Sequence, residues 1–237
     1  DSFIEKYFET KQERDVLKYA TDAATLQKIS GDLNNPVQQK VVSYEGNRRA
    51  RLVVAGPGSG KTRIIVHRVA YLIKVLRNNP RSILVVAFNR QAILQIRREL
   101  RKLIGKTASH VDIYTYHALA MAICGKMPPE LKSDDGTIDF NRVLTDAVAI
   151  LNRVEVKKSK SDEHSSFNFH NYTYILVDEY QDINEAEYKL VSLIAEKNKK
   201  AHGTVKLLAV GDDDQNIYSF NGSNVKFIRC FEEDYNA

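Results

Sequence analysis

The chain has 237 residues, of which 43% are hydrophobic and 27% are charged, and its formal net charge is +5. This composition is typical of a globular protein with a full core, and it argues against a disordered or fibrous chain. No apolar run is long enough to span a bilayer and the first residues lack a signal-peptide core, so we expect a cytoplasmic protein without a membrane partner. The two cysteines, Cys124 and Cys230, fall outside any metal-ligand spacing, which predicts reduced thiols.

Apolar strands and helices alternate along most of the chain. Helical spacing predicts one or two helices within residues 1–30, and further helices over 61–76, 91–104, 117–124, 140–154, 185–196 and 225–231. Short apolar runs predict strands over 52–55, 83–88, 111–114, 174–177 and 205–210. This alternation favours an α/β fold in which a mostly parallel sheet carries helices on both faces.

Shifts in composition divide the chain into three parts. We expect a helical N-terminal extension over residues 1–31, a main α/β lobe over 32–124 and 172–237, and a small helical insertion over 125–171. The insertion includes a polar stretch over 157–166 that is too hydrophilic to bury, which predicts a mobile loop.

A glycine-rich turn joins the first apolar strand to the helix that begins near Lys61. Its residues, 55–62, read AGPGSGKT, with Ala55 at a position where the strict phosphate-loop pattern has glycine. In such a turn the backbone N–H groups and the positive end of the helix dipole face one anionic group, and a lysine reaches its outer oxygens. The motif predicts a phosphate site built by Gly56, Gly58, Ser59, Gly60, Lys61 and Thr62.

Two carboxylates, Asp178 and Glu179, directly follow a predicted strand, and Gln215 follows the next one. The carboxyl ends of parallel strands meet at one edge of a sheet, so we expect these side chains near the same phosphate. A carboxylate there can hold Mg²⁺ while its neighbour deprotonates an attacking water, and an uncharged amide can sense a γ-phosphate. Tyr218 and Phe220 lie next to this amide, either as core residues or as platforms on which bases stack.

Six blocks of the sequence resemble the motifs of the UvrD/Rep/PcrA family of superfamily 1 DNA helicases, in that family's order. They are residues 35–38 (NPVQ), 55–63 (AGPGSGKTR), 85–88 (VVAF), 114–117 (YTYH), 175–182 (ILVDEYQD) and 210–222 (VGDDDQNIYSFNG). The resemblance spans most of the chain and implies a RecA-like P-loop NTPase lobe. Its implied ligands are ATP, Mg²⁺ and single-stranded DNA, and its implied activity is ATP-dependent DNA unwinding.

The resemblance also implies roles at the nucleotide. Lys61 would contact the β- and γ-phosphates, Thr62 and Asp178 would hold Mg²⁺, Glu179 would act as the base for the attacking water, and Gln215 would sense the γ-phosphate.

Further roles follow from the same resemblance. Gln38 would hydrogen-bond the adenine with help from Arg63, and Asp182 resembles a supporting acid of the same motif. The positions at which family members touch single-stranded DNA correspond to Phe88, Thr115, His117, Tyr218 and Phe220.

Several positions depart from the family pattern. Ala87 stands where threonine is common, and residues 220–222 read Phe-Asn-Gly where the family has Trp-Arg-Gly. The loss of that arginine bears on how tightly the ATP state is coupled to DNA. The segment between Thr115 and Tyr174 is also shorter than the DNA-contacting subdomain usual in the family.

The family closes its ATP site with arginines from a second RecA-like lobe, which nothing after Gly222 supplies. We therefore expect a fragment of a helicase that binds nucleotide but hydrolyses ATP poorly alone, since a missing arginine finger costs about 10³–10⁵ in rate. Two alternatives stay open: the motor part of a helicase–nuclease DNA-repair enzyme, and a nucleotide-gated DNA-binding module without turnover. The presence of Lys61, Asp178, Glu179 and Gln215 argues against the second alternative.

Overall fold

The computed structural model of the chain describes residues 23–33, 35–125, 139–153, 171–212 and 226–235. The helices expected before residue 23 and the polar loop over 157–166 lie outside these residues. So do three predicted site residues, Gln215, Tyr218 and Phe220.

The described residues form one five-stranded sheet. Its strands are β1 (Ala50–Val54), β2 (Ile83–Ala87), β3 (Asp112–Thr115), β4 (Tyr174–Val177) and β5 (Lys206–Gly211), in the spatial order β1-β5-β4-β2-β3. Every neighbouring pair is parallel, so all five carboxyl ends lie at one edge. The order places the ends of β1, β5 and β4 side by side, which confirms the expected α/β architecture.

Helices precede, connect and follow these strands. They are α1 (Ala23–Leu26), α2 (Pro36–Ser43), α3 (Lys61–Lys74), α4 (Arg90–Ile104), α5 (Tyr116–Cys124), α6 (Phe140–Arg153), α7 (Glu185–His202), α8 (Lys226–Arg229) and α9 (Phe231–Tyr235). A π-helical turn (Gln27–Gly31) continues α1, and 3₁₀ turns cover Pro80–Ser82, Gly105–His110 and Tyr180–Asp182.

The core lies on both faces of the sheet, because successive strand residues point to opposite sides. On β4, Ile175 and Val177 belong to a cluster that includes residues of α5, α6 and α7, whereas Leu176 belongs to a cluster with residues of α3 and α4. All three strand residues are at most 1% exposed. Strands buried on both faces read as continuous apolar runs, which is why the sequence showed no alternation in β2 and β4.

The structure differs from the sequence prediction at several element boundaries. Helix α2 was not predicted, although Asn35 caps it by accepting hydrogen bonds from the backbone N–H groups of Val37 and Gln38, with Pro36 in the first turn. Helix α7 continues six residues beyond the predicted end, to His202. Asn198, two residues beyond the predicted end, is fully buried and accepts a 2.7 Å hydrogen bond from the backbone N–H of Tyr172.

Helix α6 comes from the expected insertion. Four of its residues are fully buried in the cluster that contains Ile175 and Val177 of β4 and residues of α5 and α7. They are Val143, Leu144, Ala147 and Leu151. The separate boundaries of the insertion and of the N-terminal extension stay predictions.

Candidate nucleotide site at the carboxyl edge of the sheet

The loop between β1 and α3 is shaped by glycines in the left-handed region. Gly58 has a φ of 70° and Gly60 has a φ of 84°, backbone conformations that residues with a Cβ rarely adopt. Gly60 is the N-cap of α3 and provides no side-chain hydrogen bond, so the first N–H groups of the helix have no such cap. The hydroxyl of Ser59 is buried without a hydrogen-bond partner. Unsatisfied donors at the start of a helix suit a bound phosphate.

Lys61 lies folded over this loop and is only 8% exposed. Its Nζ donates to the backbone carbonyl of Ala55 at 3.2 Å and to Oδ2 of Asp212 at 3.3 Å. Oε2 of Glu179 lies 4.0 Å from the same nitrogen. The ammonium therefore joins the phosphate loop to the ends of β4 and β5, in a position from which it can meet a phosphate.

Asp178 is fully buried at the end of β4. Its two carboxylate oxygens accept hydrogen bonds from the Thr62 hydroxyl and from the backbone N–H of Glu179, both at 3.1 Å. Burial, and then the charge of Glu179, raise the pKa of Asp178 to about 6. A hydroxyl and a carboxylate at this separation, with excess negative charge beside them, form a donor set that suits a hard divalent cation such as Mg²⁺.

Glu179 adopts a backbone conformation with φ of 50° and ψ of 53°, in the left-handed region. For a residue with a Cβ this conformation costs about 1–2 kcal/mol, and such strain concentrates at functional sites. The turn points the carboxylate towards Lys61 and leaves a third of the side chain exposed (33%). Its Oε2 accepts a 2.8 Å hydrogen bond from Nε2 of Gln181.

Gln181 is a site residue that the sequence analysis missed. Its side chain is almost fully buried, and besides Glu179 its Nε2 donates to Oδ2 of Asp182 at 3.2 Å. Its Oε1 accepts the backbone N–H of Asp212 at 3.0 Å. One amide thus links the turn after β4 to the end of β5. The glutamine in the block ILVDEYQD could have indicated this role in the sequence. The NH₂ group of a buried amide can donate to carboxylates while its oxygen accepts a backbone N–H.

Asp182 and Asp212 complete the acidic surroundings of Lys61. Burial, and then the charge of Glu179, raise the pKa of Asp182 to about 6, and its Oδ1 is buried with no hydrogen-bond partner. Asp212 is 1% exposed. The sequence analysis predicted a supporting role for Asp182 but gave Asp212 no role of its own.

The residues predicted to hold the adenine lie beside the loop. Nε2 of Gln38 donates to the backbone carbonyl of Ser59 at 2.5 Å, so α2 is attached directly to the phosphate loop. Arg63 is exposed, and its Nη2 donates to the backbone carbonyl of Asp32 at 2.9 Å. The structure therefore places Gln38 at the loop and holds Arg63 against the segment that precedes α2.

The described residues predicted to contact DNA lie at the ends of β2 and β3, where Ala87 is opposite Thr115. Thr115 caps α5, since its hydroxyl accepts the backbone N–H of Ala118 at 3.2 Å. The ring of His117 meets that of Phe140 edge-on, with centroids 5.2 Å apart, and burial lowers the pKa of His117. Phe88, Thr115 and His117 are all partly exposed along this edge, next to the nucleotide site.

The described residues contain neither a ready-made metal cluster nor a membrane-spanning helix. No three His, Cys, Asp or Glu side chains in that part of the chain are arranged to hold a metal ion by themselves. Mg²⁺ at phosphate sites commonly takes only one or two protein ligands together with phosphate and water, so this result is compatible with Thr62 and Asp178. No helix among the described residues is long and apolar enough to cross a membrane.

An all-parallel sheet whose first strand leads through a glycine-rich loop into a helix is a RecA-like P-loop domain. A family model described as an AAA domain matches residues 38–221. The chain belongs to this family and is a UvrD/PcrA-like superfamily 1 helicase motor domain.

Among its relatives are the ATP-dependent DNA helicases PcrA of Staphylococcus aureus and of Staphylococcus epidermidis. Each is 26% identical to this chain, over 272 and 276 residues respectively. Each match covers 86% of this chain and 36% of the relative, so the chain spans about a third of the length of these relatives. The alignments are longer than this chain, and the relatives therefore carry additional residues within the matched region.

Proposed function

We propose that this chain binds ATP with Mg²⁺ and serves as the motor lobe that couples ATP hydrolysis to movement along single-stranded DNA. The observation that carries the proposal is the meeting of Lys61, Thr62, Asp178 and Glu179 at one edge of the sheet, with the Thr62 hydroxyl 3.1 Å from Asp178 and Lys61 Nζ 4.0 Å from Glu179. Lys61 and Thr62 begin α3 and Asp178 and Glu179 follow β4, so the two pairs lie more than a hundred positions apart in the chain.

Each group has a task in phosphoryl transfer. The backbone N–H groups of the loop and the ammonium of Lys61 bind the β- and γ-phosphates, since this chemistry depends on positioning and charge stabilisation. Thr62 and Asp178 would hold Mg²⁺, which neutralises charge on the phosphate oxygens. Glu179 accepts a proton from the attacking water, and Gln181 orients its carboxylate through the 2.8 Å hydrogen bond.

The remaining parts of the proposal rest on the family. Gln38 hydrogen-bonds the adenine from its position at the loop, and Gln215 senses the γ-phosphate. Phe88, Thr115 and His117 contact a DNA strand at the neighbouring strand ends, where stacking of a base on an aromatic ring is worth about 1–3 kcal/mol. A second RecA-like lobe supplies the arginines that complete the site.

Nucleotide binding by the chain tests the proposal. A fluorescent ATP analogue is titrated with and without Mg²⁺ into the wild type, Lys61→Ala, Glu179→Gln and, as a matched control on an exposed lysine, Lys106→Ala. We expect Lys61→Ala to weaken binding at least tenfold, and Glu179→Gln and Lys106→Ala to bind like the wild type.

Turnover separates the proposal from the alternative of a binding module. Steady-state ATPase activity is measured with and without single-stranded DNA in a longer protein that joins this chain to a second RecA-like lobe, and Glu179→Gln should lower its rate by about 10²–10⁴, the usual contribution of a general base. Wild-type binding that survives loss of Lys61 would contradict the nucleotide site. A rate that Glu179→Gln leaves unchanged would contradict the assignment of the base.

A further inference from the structure

The ammonium of Lys61 has a carboxylate partner, Asp212, to which the proposed phosphoryl transfer gives no task. Nζ of Lys61 lies 3.3 Å from Oδ2 of Asp212 and 3.2 Å from the backbone carbonyl oxygen of Ala55. Lys61 is 8% exposed and Asp212 is 1% exposed, so water competes little with these contacts. A buried carboxylate beside a phosphate-binding lysine calls for an explanation, because its charge also repels the phosphate.

Both acceptors of the ammonium are held at the ends of neighbouring strands. Asp212 directly follows β5, and its backbone N–H donates to Oε1 of Gln181 at 3.0 Å. Ala55 directly follows β1, and its backbone N–H donates to the carbonyl of Gly211 at 2.9 Å. The two strand ends are therefore tied to each other and to the turn after β4. The flexible stem of Lys61 is free to move against this frame, and the acceptors are not.

The two acceptors leave one N–H of the Lys61 ammonium unused. An ammonium has three N–H donors, and Nζ makes only the hydrogen bonds to Ala55 and Asp212 within the described residues. Oε2 of Glu179, at 4.0 Å from Nζ, is close enough for an ion pair but too far for a hydrogen bond. Two fixed acceptors set the rotation of the ammonium about its C–N bond, and the remaining N–H is left for a phosphate oxygen.

The contact between Lys61 and Asp212 is longer than a strong charge-assisted hydrogen bond. Such bonds between an ammonium and a carboxylate are usually about 2.7–2.9 Å long. The contact with Asp212 measures 3.3 Å. Because neither of its two contacts is at its shortest, the ammonium can move slightly towards a phosphate and keep both acceptors.

Neutralisation of Lys61 is not a sufficient reason for the presence of Asp212. Three other carboxylates, those of Asp178, Glu179 and Asp182, already lie close enough for their charges to interact with the ammonium. Asp178 and Asp182 accept hydrogen bonds from other side chains, and Glu179 stays 4.0 Å away. Among the described residues, Asp212 is the carboxylate that hydrogen-bonds Lys61, so its particular contribution is direction and not charge.

We infer that Asp212 is a positioning residue for Lys61: together with the carbonyl of Ala55 it fixes the rotation of the ammonium, so that the remaining N–H is available to a phosphate oxygen of the nucleotide. The inference rests on the proposed function, because it assigns a task within the same nucleotide site. The charge of Asp212 has the opposite effect on binding, since it weakens the attraction between the site and a triphosphate. Asp212 should therefore favour turnover and lower the affinity for the bound nucleotide.

Two substitutions at Asp212 separate direction from charge. Asp212→Asn removes the charge but keeps an oxygen that can accept the N–H, whereas Asp212→Ala removes both. Binding of the fluorescent ATP analogue with Mg²⁺ is measured in the 237-residue chain, and kcat and KM are measured in the longer protein with a second RecA-like lobe. We expect both variants to bind the analogue about fivefold more tightly, through the loss of one unit charge near the phosphates. Asp212→Ala should lower kcat by about 10–10², and Asp212→Asn should restore most of that loss.

The other outcomes each contradict a stated step. The inference is overturned if Asp212→Ala turns over like the wild type, or if Asp212→Asn is as slow as Asp212→Ala. Weaker nucleotide binding together with lower urea midpoints in both variants would reduce Asp212 to a structural residue. Asp212→Leu, which has nearly the shape of asparagine but no acceptor, takes the place of an alanine variant that does not fold. A wild-type chain that binds no nucleotide would refute the proposed function, and the inference with it.

Discussion

Replacing Glu187 with glutamine should make the protein more stable at neutral pH, in an amount that depends on pH. Glu187 lies in the first turn of α7 and is 3% exposed. Its Oε2 accepts the backbone N–H of Asn184 at 3.0 Å, as part of a capping box. Burial raises the pKa of Glu187 to about 7 against the opposing effect of that hydrogen bond, and the charge of Asp182 adds to the rise.

The sign and size of the effect follow from linkage. The folded chain holds the proton of Glu187 more tightly than the unfolded chain, so the stability from this group is complete below pH 4.5 and is lost as the pH rises to about 7. At 1.36 kcal/mol for each pKa unit, the loss is about 2–4 kcal/mol. Glutamine can keep the capping hydrogen bond without a charge. The gain of the variant over the wild type should therefore be near zero at pH 4.5 and about 2–4 kcal/mol at pH 8.

Urea unfolding followed by circular dichroism at several pH values between 4.5 and 8 measures this difference. The midpoint should shift with an unchanged slope, which identifies a change in stability and not in compactness. Glu185→Gln, on the exposed side of the same helical turn and paired with Lys189, is the matched control and should show no gain that grows with pH. Parallel stability curves for the wild type and Glu187→Gln over this range would refute the reasoning.

Three further substitutions probe the site. Glu179→Gly should be about 1 kcal/mol more stable than Glu179→Ala, because only glycine relieves the φ of 50°; equal urea midpoints would contradict the strain. Gln181→Met should destabilise the fold by about 2–4 kcal/mol, because it leaves the backbone N–H of Asp212 unsatisfied and removes a hydrogen-bond donor from Glu179. Calorimetry measures this loss of stability. The same substitution should slow ATP turnover, which an ATPase assay measures. Thr115→Ala should cost about 1 kcal/mol through loss of the α5 cap and Thr115→Ser should restore it, so a serine variant as unstable as the alanine variant would refute the cap.

Local sequence was enough to predict the parts of the site that are continuous in the chain. The residues 55–62 specify a loop because the glycines permit positive φ, and the carboxylates after β4 follow three consecutive buried residues, Ile175 to Val177. Contacts between distant segments were not predictable in this way. Asp212 meets Lys61 from 151 positions away, and nothing near either residue indicates that the ammonium lies between a loop carbonyl and that carboxylate.

The misjudged elements have the same origin. Asn198 lies beyond the predicted end of α7, yet it is fully buried, and its side chain accepts a hydrogen bond from the backbone N–H of Tyr172 just before β4. Arg49 and Lys206 likewise lie side by side only because β1 pairs in parallel with β5. In each case tertiary position, and not local preference, decides what the residue does.

The balance of charge around Lys61 indicates the form in which a nucleotide can enter. One ammonium stands among four carboxylates, those of Asp178, Glu179, Asp182 and Asp212. Burial, and then the negative charge of Glu179, raise the pKa values of Asp178 and Asp182 to about 6. A free triphosphate would add further negative charge beside them, and its repulsion from Asp178 and Glu179 would oppose the attraction of Lys61 and the loop. A divalent cation between Asp178 and the phosphates removes that repulsion, and it also lowers the pKa of the carboxylates it touches. The acidic composition of the site therefore favours the Mg²⁺ complex of ATP over the free nucleotide.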